Sequence, residues 1–202
     1  MLSFITTDAA ISKTALQKAL SEDVDDTYNM ISVDGDTSTN DTVLVIANGM
    51  AENEKIVEGT KEYEGFAEAL HEINEYLAKK IAGDGEGATA LFEVNVVGAQ
   101  TKEQAVLLSK AIACSNLTKT AIAGHDANWG RIICAMGYSG AQFDPEKVDL
   151  FFESAAGKIQ IAENGTAVDY SEEKATEILS QPIVTATADV KMGDAKATAW
   201  GC

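Results

Sequence analysis

Met1-Leu2-Ser3-Phe4-Ile5-Thr6-Thr7-Asp8-Ala9-Ala10 opens the chain. The apolar start followed by small polar positions reads as a buried strand, residues 2–7, running straight into a helix start with no leader before it. A free-standing domain usually begins with a few polar, poorly ordered residues. Here the first residue already reads as core, as if the chain began inside a fold. The expectation is a piece made by cleavage, with its other half elsewhere and its new amino terminus as the working part.

Outward from this stretch, strands and helices alternate. Ser12 is expected to cap a helix carrying Leu16, Leu20 and Val24 at helical spacing. Residues 31–33 and 43–47 read as strands flanking the polar run 34–42. Tyr63, Phe66, Leu70, Ile73, Leu77 and Ile81 then form one apolar stripe, the clearest helix in the chain. It stops at Gly83-Asp84-Gly85-Glu86-Gly87, where three glycines in five residues favour a sharp turn. Residues 89–97 read as a strand, and Thr101 opens a second helix with Ala105, Leu108 and Ile112 on one face. Residues 117–123 look strand-like and 129–138 helical. Residues 148–152 and 158–162 are expected strands, the latter turning at Asn164-Gly165. Asp169 with Glu172 suggests a capping box for a helix through Leu179. Residues 183–191 and 195–200 make a closing pair of strands. The expected class is α+β, mixed sheets with packed helices, divided at the glycine-rich turn into residues 1–87 and 88–202.

The bulk properties narrow the function. The 202 residues are 46% hydrophobic, enough for a real core, with no apolar run near the ~18–20 residues of a membrane helix. The opening lacks the basic n-region of a signal peptide, so a soluble protein is expected. A net charge of −17 argues against nucleic acid and anionic membranes as partners. It is compatible with a cationic small substrate, but plain solubility is the better reading of the charge alone. Cys114, Cys134 and Cys202 show no CxxC spacing and read as reduced thiols rather than a disulfide framework or a metal site. His71 looks like an ordinary helix residue, and neither it nor His125 has a convincing nucleophile nearby.

Three segments could carry chemistry. Asp34, Asp36 and Ser38 imitate the start of a calcium loop, but Thr39 stands at its sixth position and Val45 at its twelfth, where glycine and glutamate belong. Three acids and four hydroxyls between apolar strands point instead to a hydrogen-bonded, partly buried loop that could hold a site wall rigid. The 83–87 turn is no phosphate loop, since no Gly-Lys-Ser/Thr follows, but Glu86 within it could pair with an ammonium group. In residues 124–131, Asp126 or Asn128 can cap a helix, and Arg131 can bind a carboxylate or complete an ion pair. No complete catalytic set is present, which is consistent with a half-enzyme.

Together, residues 1–10, SVDGDTSTNDT (32–42), DGEGAT (84–89), KTAIAGHDANWGR (119–131) and ATAWGC (197–202) resemble ornithine acetyltransferase, also called glutamate N-acetyltransferase, of arginine biosynthesis. The segments keep that family's order from end to end. The resemblance implies a precursor that cuts itself before a threonine into an α chain and a β chain, this chain being the β chain. The threonine would immediately precede Met1 and would be both the self-cleavage residue and the acyl-accepting nucleophile, so no catalytic residue is expected within the chain itself. A threonine hydroxyl needs a base, and the free amine created by cleavage can serve. The implied fold is the self-cleaving N-terminal-threonine fold, with residues 1–87 sharing a catalytic lobe with the α chain. The implied reaction is ping-pong: N-acetylornithine acetylates the threonine, ornithine leaves, and glutamate takes the acetyl group. Oxyanion-hole donors would come from the α chain.

Residue by residue, Glu86 matches the family's substrate-contacting glutamate, an anion for the amino group of an ornithine-type ligand. The family's other β-chain contacts lie beyond the WGC motif. Asp34, Asn40 and Asp41 are expected as active-site wall or scaffold. Ala127 departs from the family's proline before Asn-Trp-Gly-Arg, which loosens the loop entry. A cytoplasmic α2β2 heterotetramer without metal or cofactor is implied, with acetyl-CoA left open as a second donor. The alternatives are an amidase or aminopeptidase of the same self-cleaving fold, or a non-catalytic binding protein translated from Met1.

Overall fold

A computed structural model describes residues 1–202 and shows an α+β protein with mixed sheets and packed helices. The chain forms two compact units: Met1–Asn29 with Asp36–Ile81, and Met30–Gly35 with Ala82–Cys202. No helix is long and apolar enough to cross a membrane.

In the first unit, β1 (Leu2–Thr7) pairs in parallel with β3 (Thr42–Ala47), from Leu2 opposite Thr42 to Thr7 opposite Ala47. These two strands are the whole sheet. β1 is not the buried strand its composition suggests. Ser3 and Ile5 face inward, whereas Leu2 and Phe4 remain 66% and 61% exposed. The pleat allows one face in at a time, and here the serine goes in and the larger apolar residues go out. Helix α1 (Lys13–Asp23) begins where expected, the Ser12 hydroxyl accepting from the Ala15 amide at 3.2 Å. It buries Ala15 and Ala19, so Leu16 and Leu20 sit on the flank of the contact rather than at its centre. Helix α2 (Lys61–Gly83) places Leu70, Asn74 and Ala78 on its buried face at i, i+4 and i+8. Ile73, read as part of the stripe, points outward, and a buried asparagine takes its place. The core of this unit is small: Ile5, Ala19 and Leu70, flanked by Val45, Tyr63, Phe66, Ala67 and Leu77.

The second unit is built on a seven-stranded mixed sheet. Its strands are β2 (Ile31–Ser32), β4 (Leu91–Ala99), β5 (Asp149–Ser154), β6 (Gly157–Glu163), β7 (Thr166–Ala167), β8 (Ile183–Asp189) and β9 (Ala195–Gly201), in the order β2-β9-β4-β8-β5-β6-β7. β8 and β9, expected as a pair, are separated by β4, which is parallel to β8 and antiparallel to β9. Their connection crosses the end of β4, where the Gly98 carbonyl accepts from the amides of Met192 and Gly193 at 2.6 and 2.8 Å. Gly193 is needed there, since a Cβ would stand 2.6 Å from the Ala99 carbonyl oxygen.

Helix α3 (Lys102–Ala113) packs on β4 and β9 and α6 (Glu172–Leu179) on β5 and β6. Residues 117–123, expected as a strand, belong to helix α4 (Asn116–Ala123). Ser115 caps it by accepting from the Thr118 amide at 3.2 Å, and Thr118, Ala121 and Ile122 fall on one buried face. The β-branched residues suggested a strand, but the cap and the 3–4 spacing prevail. Helix α5 (Trp129–Gly137) follows. Ser171 rather than Asp169 caps α6, accepting from the Lys174 amide. A continuous core of Phe92, Val94, Leu108, Ile112, Phe152, Ile178 and their neighbours runs through the unit.

Candidate functional site

In the first unit, the amino end of β1 lies against the loop that enters β3. The Met1 amino nitrogen donates to Asp41 Oδ1 at 2.6 Å, and the Thr42 amide donates to the Met1 carbonyl at 3.2 Å. Strand pairing fixes this meeting, because Leu2 and Thr42 are in register. The loop itself is exposed from residue 34 to residue 41, not partly buried as its composition suggested. Its order comes from short-range bonds: Ser38 Oγ donates to Asn40 Oδ1 at 3.0 Å, and Thr42 Oγ1 donates to the Asn40 carbonyl at 3.1 Å. Asn40 and Asp41 thus sit together at the end of β1. Asp34 belongs to the second unit with Glu86.

Beneath β1 lies a cluster that the sequence did not show. The Ser3 and Tyr28 hydroxyls are 2.8 Å apart, and Tyr28 donates to Asn74 Oδ1 at 3.2 Å. Asn74 Nδ2 and His71 Nδ1 both reach the Asp23 carboxylate at 2.5 Å. Burial pushes the Tyr28 phenol up from its ordinary pKa, the Ser3 hydrogen bond pulls it down, and the charge of Asp23 adds to the rise. The phenol therefore remains a neutral donor at ordinary pH. His71, read as an ordinary helix residue, is part of this cluster. The available signal was an asparagine on the apolar stripe of α2, four residues beyond Leu70.

In the second unit, the glycine-rich turn presents Glu86. The Ala88 amide donates to the Gly85 carbonyl at 2.9 Å, and Gly87 has φ +77°, which gives a type II turn with Glu86 and Gly87 at its tip. Glu86 is exposed. Gly85 lets the turn press inward, since a Cβ there would lie 2.6 Å from Cys202 Sγ and 2.8 Å from Val33 Cγ1. Beside the turn is a cleft of about 300 Å³ lined by Gly87, Thr89, Phe92, Lys119, Ile122 and Cys202. Lys119 Nζ donates to the Val33 carbonyl at 2.6 Å and so ties α4 to the end of β2. An exposed carboxylate at a turn tip can meet an incoming ammonium with little rearrangement.

The 124–131 loop serves structure. Asn128 caps α5 by accepting from the Arg131 amide at 3.1 Å, and Arg131 Nη1 donates to the Leu117 carbonyl at 2.8 Å. Arg131 thus joins α5 to α4. No group of three His, Cys, Asp or Glu side chains is arranged to hold a metal ion.

An arginine biosynthesis bifunctional protein ArgJ of Thermotoga neapolitana is 58% identical over all of this chain and 51% of its own length. The protein of that name from Caldanaerobacter subterraneus is 54% identical over all of this chain and 50% of its length. The chain therefore spans about half the length of the curated relatives it matches. The crystal structure of arginine biosynthesis bifunctional protein argJ from Bacillus halodurans superposes with a TM-score of 0.95 at 46% identity, covering all of this chain and 93% of that one. The family match spans residues 1–202, and the chain belongs to the ArgJ family.

Proposed function

We propose that this chain is the β-chain half of a cytoplasmic N-acetyltransferase of arginine biosynthesis. It moves the acetyl group of N-acetylornithine to glutamate through an acetyl-threonine at the position immediately before Met1. The observation that carries the reading is the whole-length match to proteins named for bifunctional arginine biosynthesis. The geometry of β1 supports it.

Along a strand, successive side chains alternate between faces. A residue before Met1 that continued β1 would share the face of Leu2 and Phe4. On β3 that face carries Leu44 and Ile46, which are 44% and 56% exposed. Parallel sheets are normally covered on both faces. An apolar, uncovered parallel pair is what a partner segment would complete, and the other half of the relatives' length supplies the candidate, an α chain from the same precursor. With a threonine in place, the Met1 nitrogen becomes a peptide N–H, and Asp41 would accept from it one residue away from the nucleophile.

The threonine hydroxyl, deprotonated by its own free amine, attacks the acetyl carbonyl of N-acetylornithine. Donors on the α chain stabilise the oxyanion. Collapse expels ornithine with a proton, and the amine of glutamate then attacks the acetyl-threonine and restores the hydroxyl. Glu86 pairs with the ammonium group of the ornithine-type substrate. The reading needs no metal or organic cofactor, acetyl-CoA would enter only as a second acetyl donor, and the assembly would be α2β2.

Replacing Glu86 with alanine tests the assignment. The account expects kcat/KM for N-acetylornithine to fall about ten- to a hundredfold, roughly 1.5–3 kcal/mol, with self-cleavage intact. Unchanged kinetics would remove Glu86 from the site. Acetate released at the same rate with and without glutamate would replace acetyl transfer with amide hydrolysis.

A further inference from the structure

We propose that Tyr28 and Asn74 are positioning residues that lock the register and facing of β1, and through it the placement of the acyl-accepting residue at its amino end. This rests on the reading above that the nucleophile immediately precedes Met1.

The apolar pattern of β1 does not say which face goes inward. Leu2 and Phe4 are on one face, Ser3 and Ile5 on the other, so within this chain alone hydrophobic burial would favour the Leu2 and Phe4 face, which is left open here. What holds Ser3 inward is a fully paired polar chain. Tyr28 and Ser3 are each 5% exposed and Asn74 is completely buried. Because Tyr28 donates to Asn74, its oxygen is left to accept from Ser3. Asn74 passes the polarity on by donating to Asp23, whose side chain is 10% exposed. The other groups facing Asp23 are His71 Nδ1 at 2.5 Å and the Thr27 hydroxyl, which also donates to the Asp23 carbonyl at 2.8 Å. Glu75 lies 3.7 Å from His71 Nε2 on the far side of the ring.

The donors all run toward one carboxylate, an arrangement in which each bond polarises the next. The chain also spans four elements: β1, the end of α1 at Asp23, the short 3-10 turn holding Tyr28, and the middle of α2. A one-residue slip of β1 would bring Leu2 or Phe4 against the Tyr28 hydroxyl, and a two-residue slip would bring Met1 or Ile5. Either takes from the buried Tyr28 phenol oxygen the hydroxyl it accepts from, while its own bond to Asn74 remains. Only the observed register gives the Tyr28 phenol both of its partners. Ser3 lies three residues from the position before Met1, roughly 10 Å along a strand, so the lock acts on the nucleophile through a short, stiff lever.

The test uses the full gene product, in which cleavage and acetylation can both be followed. Tyr28→Phe and Ser3→Ala both break the Ser3–Tyr28 bond, and Tyr28→Phe also removes the donor to Asn74. Each is expected to lower kcat for acetyl transfer about tenfold while KM for N-acetylornithine stays within about twofold, the mark of misplaced reacting groups. The double variant should be no worse than Tyr28→Phe alone, and Ser3→Thr, which keeps a hydroxyl there, should retain activity. Ser3→Ala, which removes a single hydroxyl and leaves the Tyr28–Asn74 bond in place, carries the test alone should Tyr28→Phe fail to fold. Normal kcat in a folded Tyr28→Phe protein, losses that multiply in the double variant, or activity that falls only in step with the thermal midpoint would each overturn the proposal. A wild-type protein that never gains acetyl removes the reading beneath it, whereas an acetylating wild type with indifferent variants removes the lock alone.

Discussion

In the second unit, β4 has a neighbour on each edge, and Phe92, Val94 and Val96 along it are sealed in one core with Leu108 and Ile112 of α3. In the first unit, β1 has the single neighbour β3, its buried positions are a serine and an isoleucine, and Leu2 and Phe4 face outward. Seven strands with helices on them bury enough apolar surface to stand alone, whereas a two-stranded sheet is marginal in water. The contrast says where each task lies. The second unit is a finished scaffold that holds Glu86 at an exposed turn tip. The first carries the strand whose amino end would bear the nucleophile, and it uses polar pairing for uniqueness while leaving an apolar face open.

The contrast breaks or sharpens at several points. The largest effect is expected in the finished core. Phe152, 1% exposed, should cost about 3–5 kcal/mol when cut to alanine, read as a lower urea midpoint. Ile5, at 8% exposed in the smaller core, should cost nearer ~2 kcal/mol on the same substitution. Equal losses would end the distinction between the units.

The open face comes next. Phe4→Asp should change the stability of this chain by no more than ~0.5 kcal/mol, since the side chain is already in water. If the full-length product is cleaved as proposed, it should weaken association between the two chains by about a hundredfold, close to 3 kcal/mol, because an unpaired charge would be buried on the proposed contact face. Size-exclusion chromatography reads the difference, and undiminished association would leave that face without a role.

The smallest effect concerns Asp149, at the corner where β5 meets the β6–β7 turn. Burial raises its pKa, but Lys191 at 2.7 Å and the Asn164 amide at 2.8 Å outweigh this and hold the carboxyl below its ordinary value. Because the folded pKa is the lower one, the contribution is fully present above the unfolded value near ~3.9 and is lost as pH falls through the folded value. Solvent screens the pair, so Asp149→Asn should cost under ~1 kcal/mol at neutral pH and flatten the loss of stability below about pH 4. An unchanged acid limb of the stability curve would count against the pairing.

Most local signals were legible, although the α6 cap is Ser171 rather than Asp169. Ser12 and Thr101 cap their helices, the α2 stripe holds at Leu70, and Asn164-Gly165 turns between β6 and β7, Asn164 taking φ +46°. Signals that depend on distant partners were not legible. The pairing of β4 between β8 and β9 is a choice among edges, and nothing within either strand reports it. The inward turn of Ser3 depends on Tyr28, 25 residues away, and on Asn74, 46 beyond that. Residues 117–123 misled because threonine and isoleucine favour strands, while the deciding Ser115 cap lay just upstream. Of the expected site residues, Asp41 meets the amino end of β1, Asn40 is bonded into the same loop, and Glu86 sits at an exposed turn tip.

The most direct test of the central claim is the intact mass of the purified full gene product after incubation with N-acetylornithine alone. The account expects two chains, with residues 1–202 preceded by a threonine and that chain heavier by one acetyl group. A single uncut chain, or a cut pair that never gains acetyl, would contradict it.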